Sequence, residues 1–394
     1  MQRRIEFWKL YENTAYDDEY RKIRRLNKDV KQIYNPVQNI IELDIALISR
    51  GMQILSKTAE KIIEMNDFDY FKEELLLYIL LDGVAWIDVV RQEDKIYFTA
   101  LSVEDVQEVN YDAGGNITRV VLESGEGETF LRKVYTLDEI TIVQNDTEKT
   151  VPNVLGFVPV VEVWGLKSAS RPVSRIEGLI DKLDLINEYY AGTRNISRLH
   201  VDPLLWGNAA LDTTQMAEKF ENRAEGEIKY AQVPEGGRLQ FLEMQGNVLK
   251  VMCEERDKLI EQVEHEYPEI LLIKLIEGAA VSGYAISLKL TGLESLMQRY
   301  RTNYKTALIR AFKYAFEMLG VKDTVEILFD PILPFNTKDM LDATITTYSA
   351  GLLDLRTAVK HVAKVFEEDP DQILQNLQAE DIYEKQFQQE AGEA

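Results

Sequence analysis

At 394 residues the chain can bury a sizeable core and would ordinarily form about two to three domains; a hydrophobic share of 45% rules out a disordered protein. The formal charge of -22 argues against a general binder of nucleic acid or of anionic membrane, which needs clustered Lys and Arg. It leaves room for a protein that handles DNA without gripping it. The single cysteine, Cys253, excludes an internal disulfide and any cysteine-based metal site.

The opening MQRRIEFWKL lacks the apolar centre of a signal peptide. The longest apolar run, Leu75 to Leu81, is far shorter than the ~20 residues of a membrane span. The expectation is a soluble protein, kept in a reducing compartment, with no membrane partner.

Residues 1–34 read as charged and helical, with Phe7, Leu10, Tyr11 and Ala15 on one side; the basic run KIRRLNKDVK within them reads as a solvated helix face. Asn35-Pro36 breaks the pattern. A helix follows whose buried side is marked by Ile40, Leu43, Leu47 and Leu55. Asp67 to Leu81 predicts another apolar helix, ended by Gly83. From Val84 the period changes to two, and AWIDVV, KIYFTAL, ITRVVLES and TFLRKVYT read as short strands. Asp112 to Asn116 is a hairpin turn; its glycines lack the spacing of a phosphate loop and no helix follows. Strands continue over Asp138 to Thr150, and Gly156 to Trp164 predicts one more, with Pro159 marking an irregularity.

Ser174 and Glu177 have the spacing of a capping box, so a helix is expected from there. Ile176, Leu179, Leu183, Ile186 and Tyr190 form its apolar face, and Glu177, Asp181, Asp184 and Glu188 form an acidic stripe. Residues 200–246 read as a small separate module, with strand-like LLWG, a short helix near Thr214 to Phe220, and strands GEIKYAQV and RLQFLEM. Its Lys219, Arg223, Lys229 and Arg238 read as ordinary surface charge.

The next helix, Val248 to Tyr267, repeats the acidic design. Leu249, Met252, Leu259, Ile260, Val263 and Tyr267 share one side; Glu254, Asp257, Glu261 and Glu264 step by three and four along another. An apolar loop, EILLIKLIEGAAVSGYAIS, leads to a long helix with Leu293, Met297, Tyr300, Tyr304, Leu308, Ala311, Ala315 and Met318 on one face and Gly320 as its cap. VEILFDPILPF then reads as a strand. Three helices follow, Thr337 to Ser349, Asp354 to Glu367 and Pro370 to Glu384.

No chemistry-bearing motif stands out. His200, His265 and His361 lie far apart in sequence and belong to no metal-ligand motif, and the Walker-type phosphate loop, HExxH and GxSxG are all missing. Scattered carboxylates could in principle build a metal-dependent nuclease. They fall mainly in amphipathic stripes, however, so the chain reads as a non-enzyme with no cofactor and no metal.

Several strings, in this order, resemble the portal proteins of tailed bacteriophages. They are Asn35-Pro-Val-Gln-Asn-Ile-Ile-Glu-Leu43, Gly83-Val-Ala-Trp-Ile-Asp-Val89, Phe98 to Val106 and Gly156-Phe-Val-Pro-Val-Val-Glu-Val163 with Leu179 to Asn187. Ser282-Gly-Tyr-Ala-Ile-Ser-Leu-Lys289 before the long helix, and Asp330-Pro-Ile-Leu-Pro334, complete the series. The agreement in order spans most of residues 35–380. The resemblance implies an α+β portal fold: helical stem, α/β clip, mixed α/β wing with a long helix, and a small helical crown, since the chain is short for that family. Residues 1–34 fall outside it, as an N-terminal helical segment; on it, 35–170 is the wing, 171–199 and 247–267 the stem helices, and 200–246 the clip. Residues 268–290 are the tunnel-loop region, 291–335 the long wing helix and strand, and 336–394 the crown.

It further implies a homo-oligomeric ring, usually of twelve, at one capsid vertex of the virion, assembled in the host cytoplasm. Double-stranded DNA, the terminase large subunit, major capsid and scaffolding proteins, and head-completion or tail adaptor proteins are the implied partners. Glu254, Asp257, Glu261 and Glu264 then become candidates for the channel wall, with Lys274 and Glu277 in the loop. Lys219, Arg223, Lys229 and Arg238 become candidates for partner binding by the clip. Two readings stay open for the stripe, channel wall or outward solvated face, and two for the loop, channel projection or buried connector. A virion adaptor without a channel, or a nuclease, remain the alternatives.

Overall fold

The computed structural model describes residues 2–15, 34–125, 130–144, 147–168, 171–201, 205–207, 239–241, 246–276, 283–332, 337–366 and 370–377. Helices and antiparallel sheets make an α+β protein. In chain order the first elements are α1 (Gln2–Tyr11), α2 (Val37–Ser49), β1 (Gln53–Leu55), α3 (Lys57–Met65) and α4 (Phe68–Asp82). Eight strands follow: β2 (Val84–Gln92), β3 (Lys95–Leu101), β4 (Val106–Tyr111), β5 (Ile117–Ser124), β6 (Leu131–Thr136), β7 (Glu139–Gln144), β8 (Thr147–Pro152) and β9 (Val160–Trp164).

After the small pair β10 (Leu166–Ser168) and β11 (Arg171–Val173) comes α5 (Ile180–Val201), then β12 (Leu205–Gly207) and β13 (Leu239–Phe241), which pair antiparallel. The chain closes with α6 (Gly246–Glu266), α7 (Pro268–Ile276), α8 (Gly283–Leu319), β14 (Glu326–Leu328), α9 (Thr337–Ser349) and α10 (Leu355–Phe366).

The core is built on α8, a helix of 37 residues. Leu293, Met297, Tyr300, Tyr304, Leu308, Ala311, Ala315 and Met318 recur at helical spacing and are all buried, as the periodicity predicts. Against them pack α2, α4 and a three-stranded sheet of order β3-β2-β9. Strand alternation divides β2 cleanly. Ala85, Ile87 and Val89 face the helices, while Val84 and Trp86 join a second core with Val120, Leu122 and Tyr135 of the five-stranded meander β4-β5-β6-β7-β8. Asp88, buried between the sheets, receives Lys133 Nζ at 2.9 Å.

Gly83 ends α4 at φ +78°, and an added Cβ there would lie 2.6 Å from the Val173 backbone nitrogen. Arg301 of α8 is buried and donates to the carbonyls of Leu47 (2.6 Å) and Ile48 (2.9 Å), which the end of α2 leaves unpaired, and to that of Asp330 (2.5 Å).

Four expectations need correction. Leu55 does not mark the buried side of a helix: α2 ends at Ser49, Gly51 turns the chain at φ +60°, and Leu55 sits exposed in β1, paired with β14. Gly156 to Trp164 shortens to a strand of five residues, Val160–Trp164, that begins after Pro159. The capping box at Ser174 and Glu177 does not start α5. The Ser174 hydroxyl instead donates to the Leu80 carbonyl, Arg171 grips Glu177, and turns carry the chain to Ile180. The expected loop after Pro268 is a helix, α7, over its first eight residues, because proline suits a first helical turn and no other helix breaker follows before Gly278. The basic run of residues 22–31, the strand GEIKYAQV and the helix near Thr214 lie outside the described residues.

Candidate functional site

Helices α5 and α6 run antiparallel in contact. Lys182 Nζ holds the Glu266 carboxylate near one end of the pair. Near the middle an added Cβ on Gly192 would lie 2.6 Å from the Met252 methyl, and the Arg256 guanidinium covers the Tyr190 ring at 4.7 Å. Leu183, Ile186 and Val263 are fully buried beneath. Asn187 pins the chain entering α2: its Oδ1 accepts from the Tyr34 amide at 2.9 Å, and its Nδ2 donates to the Tyr34 carbonyl at 3.1 Å.

With one face fixed in this way, the carboxylates fall on the other. Glu254, Asp257 and Glu261 are exposed on α6, turned away from α5. Glu264 is half-buried beside Tyr34, whose hydroxyl is pushed up to about 12 by burial and then by the Glu264 charge. Part of the acidic charge is answered locally. Lys250 Nζ stands 3.8 Å from Glu254, Arg256 Nη2 2.7 Å from Asp257, and Lys258 Nζ 2.7 Å from Glu255. With six carboxylates to three Lys and Arg, α6 remains acidic. On α5, Asp181, Asp184 and Glu188 are exposed. Glu177 leaves that stripe: it sits in the turns before α5, gripped by Arg171 at 2.9 and 3.1 Å.

A surface of this kind repels phosphate weakly and evenly. One carboxylate and one phosphate ~10 Å apart in water repel by roughly 0.4 kcal/mol, reduced further by a Debye length of about 8 Å. Repetition smooths the effect, whereas Lys or Arg in the same places would release counterions and bind DNA tightly.

Lys274 lies in α7 near its end; Glu277, Lys219, Arg223, Lys229 and Arg238 lie outside the described residues. The apolar residues ahead of Lys274 are drawn inward: Ile270 is buried and Leu271, Leu272 and Ile273 are half-buried.

Where α5 and α6 join the body there is an ion cluster that sequence patterns missed. Arg175 Nε donates to Asp44 Oδ2 at 3.0 Å, its Nη2 donates to Glu269 Oε1, and the Tyr267 ring covers its guanidinium at 4.6 Å. Asp44 and Glu269 are both completely buried. One signal was available in the sequence. Asp44 stands four residues from both Ile40 and Ile48, inside an apolar helix face where a carboxylate needs a partner.

Among the described residues, no three of His, Cys, Asp and Glu come together as a metal site and no helix is long and apolar enough to cross a membrane; His265 and His361 are exposed. An open groove between β9 and α8 contains Arg299, Asn303 and Arg310 but a single carboxylate, Glu162, which accepts from the Tyr111 hydroxyl at 2.7 Å. A two-carboxylate metal mechanism has no footing there.

Comparison with known proteins gives a consistent family. The model of the family described as "Phage portal protein, SPP1 Gp6-like" matches residues 32–386. Among solved structures, a chain from the neck of an empty gene transfer agent particle, computed with C6 symmetry, aligns with a TM-score of 0.49 at 13% identity, covering 84% of this chain and 90% of its own. One from the virion of the native particle gives 0.48 at 14%, covering 80% and 86%. One from the native neck, computed with C12 symmetry, gives 0.46 at 13%, covering 82% and 87%. No curated protein sequence matches.

Proposed function

The chain belongs to the phage portal protein family of the SPP1 Gp6-like type, and from that premise we propose that it is one subunit of a ring of twelve at a single capsid vertex. Double-stranded DNA passes through the central channel, driven inward by a terminase motor during packaging and released outward at ejection. Head-completion and tail proteins later attach to the same ring. The observation that carries this reading is the family match, which runs through every proposed part from the wing to the crown.

In this reading α5 and α6 form the stem, residues 200–246 the clip that meets the motor, and α9 with α10 the crown. The exposed row Glu254, Asp257 and Glu261 lines the channel, supported by its position on the face of α6 turned away from α5. In this reading the segment that reaches toward DNA comprises Lys274 and the residues after it up to α8, a choice supported by the burial of Ile270 and the half-burial of Leu271, Leu272 and Ile273 before it.

Electron microscopy of the purified chain tests the reading directly. Rings with a central hole are expected. Monodisperse monomers, or closed particles without a hole, overturn it in favour of a virion adaptor that has no channel.

A further inference from the structure

Three elements meet at a buried cluster in which two carboxyl groups share one cation. Asp44 comes from α2, Glu269 from α7, and Arg175 from the turns before α5. Arg175 satisfies one oxygen of each carboxyl group. The remaining oxygens, Asp44 Oδ1 and Glu269 Oε2, are buried with no donor, and both carboxyl groups close on the same guanidinium. Among the described residues, no second cation is paired with either carboxyl group. Tyr267 covers Arg175 and donates its hydroxyl to the Arg175 carbonyl at 3.4 Å, Tyr300 of α8 is buried alongside, and Arg299 and Glu266 are exposed at the periphery. Ionising both carboxyl groups would leave an uncompensated charge in the core and turn two lone pairs toward each other.

We propose that Asp44 and Glu269 form a binding site for a single shared proton, which latches α7 to α2 through a carboxylic acid–carboxylate hydrogen bond. One proton satisfies both orphan oxygens and makes the cluster neutral with Arg175. Burial first, then the Glu269 charge, hold Asp44 well above its ordinary 3.8, with Arg175 opposing. The folded protein therefore holds this proton more tightly than the unfolded chain. The stability it contributes is full below pH 3.8, declines as pH rises toward the folded value, and is lost above it. Loss of the proton sets two like charges face to face and loosens α7, the helix that leads toward residues 277–282.

Asp44→Asn and Glu269→Gln each replace the acid by a neutral amide able to donate the same bond. The full-length protein at neutral pH should show the infrared carbonyl stretch of an un-ionised carboxylic acid, and each variant should lose that band. Melting temperatures between about pH 4 and pH 9 should fall with rising pH in the wild type more steeply than in either variant. If one substitution prevents folding, the other carries both measurements. The proposal is overturned by a wild-type band that survives both substitutions, by the absence of a band, or by equal pH slopes in all the proteins. Neither measurement depends on ring formation, so a failure here is distinct from a failure of the portal reading.

Discussion

The body around α8 and the pair α5/α6 use charge in opposite ways. In the body, ionic groups are buried and tied to fixed partners: Asp88 to Lys133, Arg301 to three backbone carbonyls, Arg175 to Asp44 and Glu269. On α5 and α6 the same residue types stand on the outside, with short-range pairs along one helix or between the two. A buried pair is weak evidence of net stabilisation, since desolvation offsets much of the attraction, but breaking it is expensive. An exposed pair contributes little either way. The body therefore uses charge to fix which elements meet, and the pair of helices uses it to shape the field outside.

Three experiments would break or sharpen that contrast. The largest effect is expected for Arg175→Met, which leaves two carboxyl groups buried without their cation. A loss of about 3–5 kcal/mol is expected, read as a large drop in the denaturation midpoint, and a drop as small as that of a surface substitution would remove the distinction. Next comes Gly83→Ala. An L residue at φ +78° is strained, and its Cβ would press on the Val173 backbone, so a cost of about 2 kcal/mol or more is expected. The smallest effect on stability is expected for combined reversal of Glu254, Asp257 and Glu261 to Lys. Melting should be unchanged, while the assembled protein should acquire salt-sensitive affinity for duplex DNA and packaging should slow. Normal packaging with unchanged DNA affinity would mean that this row faces away from the channel.

The elements that were legible in the sequence are those whose signal is local. The buried face of α8, the hairpin at Asp112 to Asn116, and the helix stops at Gly83 and Gly320 each follow from spacing or backbone freedom within a few residues. What was not legible depends on partners far along the chain. Gln53–Leu55 is too short to announce a strand, and it becomes one only because Glu326–Leu328 lies beside it. Nothing local marks Arg175, whose role depends on Asp44, 131 residues away, and Glu269, 94 residues away. The helix α7 was hidden by its own composition. A short apolar run reads equally well as a loop packed in a core or as a buried helix, and the ion pair that seats Glu269 in the interior lies outside any local window. The acidic rows were legible as rows, but the departure of Glu177 from one of them was not, because its partner Arg171 lies six residues back, outside helical spacing.

The pairing of β1 with β14 also sets a schedule. The ribosome must add more than 270 residues after Leu55 before the partner strand exists, and α8, which supplies the largest share of the buried face, is made only shortly before it. During synthesis the first helices and the three-stranded sheet must wait with their apolar sides incompletely covered, a condition that favours association with other nascent chains. Contacts this distant also slow folding through the entropy of closing the intervening chain. Completion of the body thus waits for residues 283–328, so a subunit truncated before residue 283 would present its neighbours with an open core.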